Sequence, residues 1–200
     1  MSIDVSHYQG FIFDMDGTLI DTMPSHVQSW QETAKEFDFP CDGQWLASMG
    51  GMPSINIVAQ INKKYDLELD PKTITEFKMQ QYAKRIERGD LIECTVSLAR
   101  DFQGQKKMAV GTGSNRINAE KLLSHHDIAP LFDAVVTADD VKAHKPNPDT
   151  FLMAAEQLGL KPEQCVVFED TLIGAQAAKN AGMACVLVEQ GKLIPAPALD

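Results

Sequence analysis

Five short apolar runs, at residues 11–13, 108–110, 134–136, 166–168 and 184–188, constrain this chain more than any other feature. Each is followed by polar or glycine-rich residues. Runs this short do not make helices, and an unbroken apolar stretch suits a strand covered on both faces, as in a parallel sheet. The later runs are separated by segments with helical spacing. Phe151, Leu152, Ala155 and Leu158 fall on one face before Gly159, and the alanine-rich stretch 175–181 stops at Gly182, a suitable C-terminal cap. Alternation of this kind predicts an α/β fold of β-α-β units, a parallel sheet with helices on both faces.

The spacing breaks once, between residues 13 and 108. That interval opens with Val27, Trp30, Ala34 and Phe37 at helical spacing, continues with Ile55, Val58 and Ile61 after Pro53, then Ile74 and Phe77, and offers no convincing strand. It reads as a helical module inserted after the first strand, with chain crossings near Asp21-Thr22 and Gly89-Asp90. The expected division is residues 1–21 and 91–200 for the core and 22–90 for the insertion. The final PAPALD segment is expected to fray.

The 200 residues carry 28 Asp and Glu against 18 Lys and Arg, a formal charge of −10. That balance disfavours nucleic acid and anionic membranes, which attract basic patches, and makes any anionic substrate dependent on positive charge supplied locally. Cys41, Cys94, Cys165 and Cys185 lie far apart, so neither a zinc site nor a disulfide framework is indicated, and reduced, buried thiols are expected. The sequence shows no basic-then-apolar leader and no stretch of membrane-spanning length. A cytoplasmic monomer with no nucleic-acid or membrane partner is the expectation.

In an open α/β sheet, ligands bind beyond the carboxyl ends of the strands. Asp14 and Asp16 fall there after the first run, Thr112, Gly113 and Ser114 after the second, and Glu169 and Asp170 after the fourth, with Lys145-Pro146 just before a helix. Carboxylates crowded in a partly dry crevice repel, at a cost of about several kcal/mol in shifted protonation, so a cation is needed. Hard oxygen ligands without His or Cys point to Mg2+, which shares its shell with a phosphate oxygen. Lys145 and the N–H groups of the 112–114 turn would add positive charge. Asp14, at the strand tip, is then the expected nucleophile, forming an aspartyl phosphate. Asp16 would protonate the leaving alcohol and later deprotonate water, its backbone carbonyl remaining for the metal.

Taken singly, each motif has an ordinary reading. D-x-D-G-T and GTGS are also turn sequences, a Lys before Pro is usually solvated, and Glu169-Asp170 can serve simply to cap the next helix. Their convergence on one crevice is what is specific. His7, His125 and His126 are expected to be solvated or capping, and His144 to flank the lysine. His26, early in the insertion, is a candidate to face the site.

The stretches FDMDGTLIDT, VGTGSN, HKPNPDTF and VVFEDTLIGAQAAKNAGM, in this order and spacing, resemble the haloacid dehalogenase-like hydrolases with a helical cap after the first strand, in their β-phosphoglucomutase-like branch. The resemblance spans essentially the whole chain. It implies a Rossmann-like core, a mobile cap and Mg2+-dependent phosphoryl transfer through Asp14, with a small sugar phosphate such as fructose 1-phosphate as substrate. By resemblance Asp14, the Asp16 carbonyl and Asp170 hold the metal, with Glu169 a close or direct ligand. Thr112, Gly113 and Lys145 hold the transferred group, and Ser114 and Asn115 border the substrate. Dehalogenases of the superfamily need no carboxylate at the position of Asp16, which favours phosphate chemistry.

A β-phosphoglucomutase is the same-fold alternative, and it must grip a second phosphate with cationic groups in the cap. Lys78 matches a mutase lysine, but Ser54 stands where the mutase carries an arginine, which favours a phosphatase. A phospho-acceptor signalling receiver also combines acidic residues, a hydroxyl and a lysine with magnesium. Its first two strands are not interrupted by a long insertion.

Overall fold

The computed structural model describes residues 3–50, 52–85 and 89–197. Six strands, β1 (Gly10–Phe13), β2 (Lys107–Gly111), β3 (Ala134–Val136), β4 (Cys165–Glu169), β5 (Ala184–Glu189) and β6 (Lys192–Pro195), form one sheet in the order β3-β2-β1-β4-β5-β6. The first five run parallel; β6 is antiparallel to β5. β1 is central, with Ile12 in register with Ala109 on one side and Val167 on the other. Its carboxyl end, where Asp14 follows, is therefore flanked by the ends of β2 and β4.

Alternate strand residues feed two cores. Phe11, Phe13, Met108, Val110, Val166 and Phe168 pack with Val96 and Ala99 of α5 (Glu93–Asp101) and Leu122 of α6 (Arg116–His125). Ile12, Ala109, Val136 and Val167 face the other way, onto Phe151 and Ala154 of α7 (Asp149–Gln157) and Ala177 and Ala178 of α8 (Leu172–Asn180). The small alanines let α8 lie close to the sheet. Burial of both faces explains why these strands are apolar at every position.

The described residues between β1 and α5 include four helices: α1 (Met23–Glu36), α2 (Gly43–Ala47), α3 (Ser54–Tyr65) and α4 (Pro71–Ala83). They enclose their own apolar cluster, with Trp30, Ala34, Ile57, Val58, Ile61 and Ile74 buried. Asp70 caps α4 by accepting the Thr73 N–H at 2.8 Å, ahead of Pro71 at the first turn. Chain departure and return lie side by side. The Asp21 N–H donates to Asp90 O at 2.8 Å, the Ile92 N–H donates to Leu19 O at 2.9 Å, and Ile20 bridges Leu91. Gly89 sits at φ +126°, where a Cβ would strike the Asp21 carbonyl.

Three sequence expectations shift. Ile55 and Leu152, placed on buried faces by spacing, are 46% and 39% exposed, while Ile57 and Ala154 take the buried positions. The edge strand β6 adds to the strands expected from the apolar runs. Pro195 ends it, and residues 198–200 of the segment expected to fray lie outside the described residues. Among the described residues, no helix is long and apolar enough to cross a membrane.

Candidate active site

The chain turns sharply after β1. Gly17 adopts φ +88°, and a Cβ there would collide with the Asp170 carboxylate, so the backbone can pass this close only as glycine. The turn leaves Asp14 and Asp16 buried at the sheet's carboxyl edge, in different company.

Asp14 lies beside Lys145. Lys145 Nζ is 2.6 Å from Asp14 Oδ1 and 2.8 Å from Glu169 Oε1, and its side chain is fully enclosed, 4.6 Å above the Phe151 ring. Burial alone would lower the Lys145 pKa; the two carboxylates outweigh it and hold the ammonium charged. The other Asp14 oxygen, Oδ2, is buried without a hydrogen-bond partner. Burial raises the Asp14 pKa against the opposing charge of Lys145, and the negative charges of Glu169 and Asp16 add to the rise. Asp170 is raised for the same reasons, burial first and then Glu169 and Asp14. Thr18 Oγ1 donates to Asp170 Oδ1 at 3.3 Å.

Oxygens of Asp14, Glu169 and Asp170 lie within 4.8 Å of one another. The raised pKa values of Asp14 and Asp170, together with the unpartnered Asp14 Oδ2, fit a hard divalent cation that takes oxygen ligands. Glu169 is the most committed of the three. Oε1 accepts from Lys145, and Oε2 accepts from the Thr171 N–H at 2.7 Å and Thr171 Oγ1 at 2.8 Å. A Cβ on Gly174 would occupy the same space as this carboxylate. The helix cap is Thr171, whose hydroxyl accepts the Gly174 N–H, and not Glu169 or Asp170.

Asp16 is surrounded by donors instead. Oδ1 accepts from Thr22 Oγ1 at 2.6 Å and lies 3.4 Å from His26 Nε2; Oδ2 accepts from Ser114 Oγ at 2.7 Å and lies 3.4 Å from Thr112 Oγ1. Burial pushes its pKa up, but the His26, Thr22 and Ser114 hydrogen bonds outweigh that and hold it well below the carboxylate range. His26 stacks on Tyr82, with ring centroids 4.2 Å apart, and its Nδ1 is 2.7 Å from Lys78 Nζ. Lys78 is 1% exposed, and burial lowers its pKa to about 7 against the pull of Asp16.

A cavity of about 280 Å³ opens beside Asp16, between the inserted helices and the core. Met23, Val27, Trp30, Met49 and Met52 make its apolar wall, and Gly113, Ser114, Asn115, Asp139 and His144 line the core side. His26, Ser54, Thr75 and Lys78 are polar residues on the inserted side. Gly50 closes against Thr171 so tightly that a Cβ there would lie 3.1 Å from the Thr171 methyl.

Most of the residues singled out by sequence thus meet in one place. Lys145, a surface residue on the ordinary reading, is buried between two carboxylates. Thr112 and Ser114 turn their hydroxyls to Asp16, and Thr112 also accepts the Ser114 N–H at 3.0 Å. Asn115 lines the cavity while its Oδ1 caps α6 through the Asn118 N–H at 2.9 Å. His126, expected to be solvated or capping, follows α6 as its C-cap but buries Nε2. Sequence reasoning missed Thr22, Thr18 and Thr171 as partners of acidic groups. Their only signal was proximity along the chain to Asp16 and Glu169.

A family model described as haloacid dehalogenase-like hydrolase matches residues 11–188, and the chain belongs to that family. It is 43% identical over 181 residues to the Escherichia coli (strain K12) fructose-1-phosphate phosphatase YqaB, covering 90% of this chain and 95% of that one. It is 30% identical over 190 residues to the beta-phosphoglucomutase of Bacillus subtilis (strain 168), covering 90% of this chain and 83% of the relative. A crystal structure of beta-phosphoglucomutase from Clostridium difficile superposes with a TM-score of 0.81 at 28% identity, covering 92% of this chain and 85% of that one.

Proposed function

We propose that this protein is a phosphatase of small sugar phosphates, with fructose 1-phosphate or a close analogue as substrate, working through an aspartyl phosphate on Asp14. The observation that carries the reading is the contrast between the two aspartates. Asp14 is tied to Lys145 through one oxygen and keeps the other unpartnered, while Asp16, two residues on, collects hydroxyl and imidazole contacts beside a cavity. One is arranged to bond to phosphorus and the other to handle protons. The name of the 43%-identical relative supports the substrate class.

In the first half-reaction an Asp14 oxygen attacks phosphorus, the bond to the sugar oxygen breaks, and the Asp16 carboxyl gives its proton to that oxygen. In the second, water attacks the aspartyl phosphate, Asp16 takes the water's proton, and the Asp14–phosphorus bond breaks to release inorganic phosphate. The donors around Asp16 favour its ionised form, which is the form the second half needs. For the first half the proton must be loaded onto Asp16 with the substrate, as the Thr22 and His26 contacts on Oδ1 rearrange. Lys145 holds Asp14 in place and is positioned to neutralise the arriving phosphoryl oxygens. Mg2+, held by Asp14, Asp170 and the Asp16 carbonyl with Glu169 close by, would supply charge neutralisation for the phosphoryl group. Glu169, with both oxygens already engaged, serves foremost to fix Lys145. Residues 22–90 act as the cap, carried on the paired crossings.

A mutase needs a strong grip on a second phosphate. Here the cavity's inserted side offers Lys78, whose ammonium is buried against His26, and Ser54. That favours hydrolysis. The test is phosphate release from a panel of sugar phosphates with Mg2+, run beside an assay for isomer formation with a bisphosphate primer. Release without priming is expected; efficient priming with little release would overturn the reading in favour of the mutase.

A further inference from the structure

We propose that the core wall of the cavity reads the uncharged, hydroxyl-bearing end of the substrate, and that Asp139 rejects phosphate esters carrying a second phosphate at that end. This rests on the phosphatase reading above. Three side chains on that wall keep hydrogen-bonding capacity that the fold does not use. Asn115 spends its Oδ1 as the cap of α6, leaving its amide N–H groups. Asp139 accepts the Arg116 N–H through Oδ2 at 2.9 Å, leaving Oδ1. His144 lines the cavity with no ring hydrogen bond among the described residues. Donors and acceptors together suit a polyol, whose hydroxyls do both.

The charges on the same cavity decide what else can enter. Asp16 and Asp139 are the acidic residues among its described lining. Among the described lining residues Lys78 is the one lysine or arginine, and it is sequestered, with Nζ 2.7 Å from His26 Nδ1. The transferred phosphoryl group has Lys145 to meet it, but a second phosphate at the far end would meet Asp139, with no further lysine or arginine among the described lining residues to offset it. The opposing wall is mostly apolar, with Met23, Val27, Met49 and Met52, and its polar side chains, among them Ser54 and Thr75, are neutral donors apart from Lys78 and His26, which engage each other. At about 280 Å³ the cavity is at the small end of ligand sites, so a distal phosphate has little room to avoid Asp139.

The experiment compares kcat/KM, in Mg2+, for fructose 1-phosphate, fructose 1,6-bisphosphate and p-nitrophenyl phosphate in the native protein, Asp139→Asn and Asp139→Ser. Both variants retain an acceptor for the Arg116 N–H, and Asp139 is exposed, so the turn at α6 keeps its hydrogen bond. The native protein is expected to favour the monophosphate sugar over the bisphosphate by about tenfold or more. Removing the charge should narrow that preference by roughly fivefold, and less in high salt, as screening requires. A native protein that accepts the bisphosphate equally, or variants whose ratio stays within about twofold of the native, would overturn the proposal while leaving the phosphatase standing. Failure to hydrolyse any of the three esters would remove the phosphatase reading and this proposal with it.

Discussion

Asp14 and Asp16 occupy one turn yet depend on different neighbours, and their neighbours predict different consequences of substitution. Asp16→Asn keeps an acceptor for one of Thr22 and Ser114 and turns an NH2 to the other, whose hydroxyl can rotate to accept it, but the amide cannot carry a proton between alcohol and water. Turnover should fall by about 10²–10⁴-fold with little change in thermal midpoint, checked by phosphate release and calorimetry. Lys145→Met removes the cation from between Asp14 and Glu169. Two buried carboxylates left facing each other should cost about 3–5 kcal/mol in denaturant unfolding at neutral pH. The loss should shrink as the pH falls and the carboxylates take up protons. The aspartates were legible in sequence because they are adjacent after a strand. Their hydrogen-bond partners were not: Ser114 reaches Asp16 from 98 residues away, and only the register of β1 with β2 brings the two turns together.

At the scale of elements, the approach of α8 to β4 ties helix packing to chemistry. Glu169 ends β4, and its carboxylate fills the space a side chain on Gly174 would need. Gly174→Ala should raise local helix propensity yet displace Glu169 from Lys145. The expected result is at least a tenfold loss of phosphatase activity, with Glu169→Gln as the comparison that keeps the shape and removes the charge. The parallel strands were readable because burial on both faces writes an unbroken apolar run. The β5–β6 hairpin was not. Its turn uses positive φ at both Gln190 and Gly191, and Gln carries little of the turn signal of Asn or Asp. Helical spacing also misplaced Ile55 and Leu152, since it marks a rough apolar face without saying which flank meets protein and which meets a cavity or solvent.

Across the whole molecule, the acidic cluster should make stability depend jointly on pH and metal. The pKa values of Asp14 and Asp170 are raised by folding. The folded state therefore holds protons that the unfolded chain releases near pH 4, and stability falls as pH rises above about 4. The sign reverses for Asp16, whose lowered pKa contributes stability that is lost only in acid. With chelator present, the thermal midpoint should drop between about pH 5 and about pH 8. Mg2+ should raise it more at the higher pH, where the carboxylates are ionised and ready to bind. A midpoint indifferent to Mg2+ across that range would count against the metal site. Scanning fluorimetry suffices.

The hydrogen bond from Asp21 to Asp90 has a consequence for how such a protein changes over time. Because the chain leaves the sheet and returns to it at neighbouring points, everything between can be lengthened, trimmed or exchanged without moving β1 from between β2 and β4. A short linker would span the gap if residues 22–89 were cut out. The sheet edge that carries Asp14, Lys145 and Glu169 would keep its form through such an exchange, whereas Thr22 and His26 would leave with the exchanged segment, so any replacement would have to bring its own donors for Asp16.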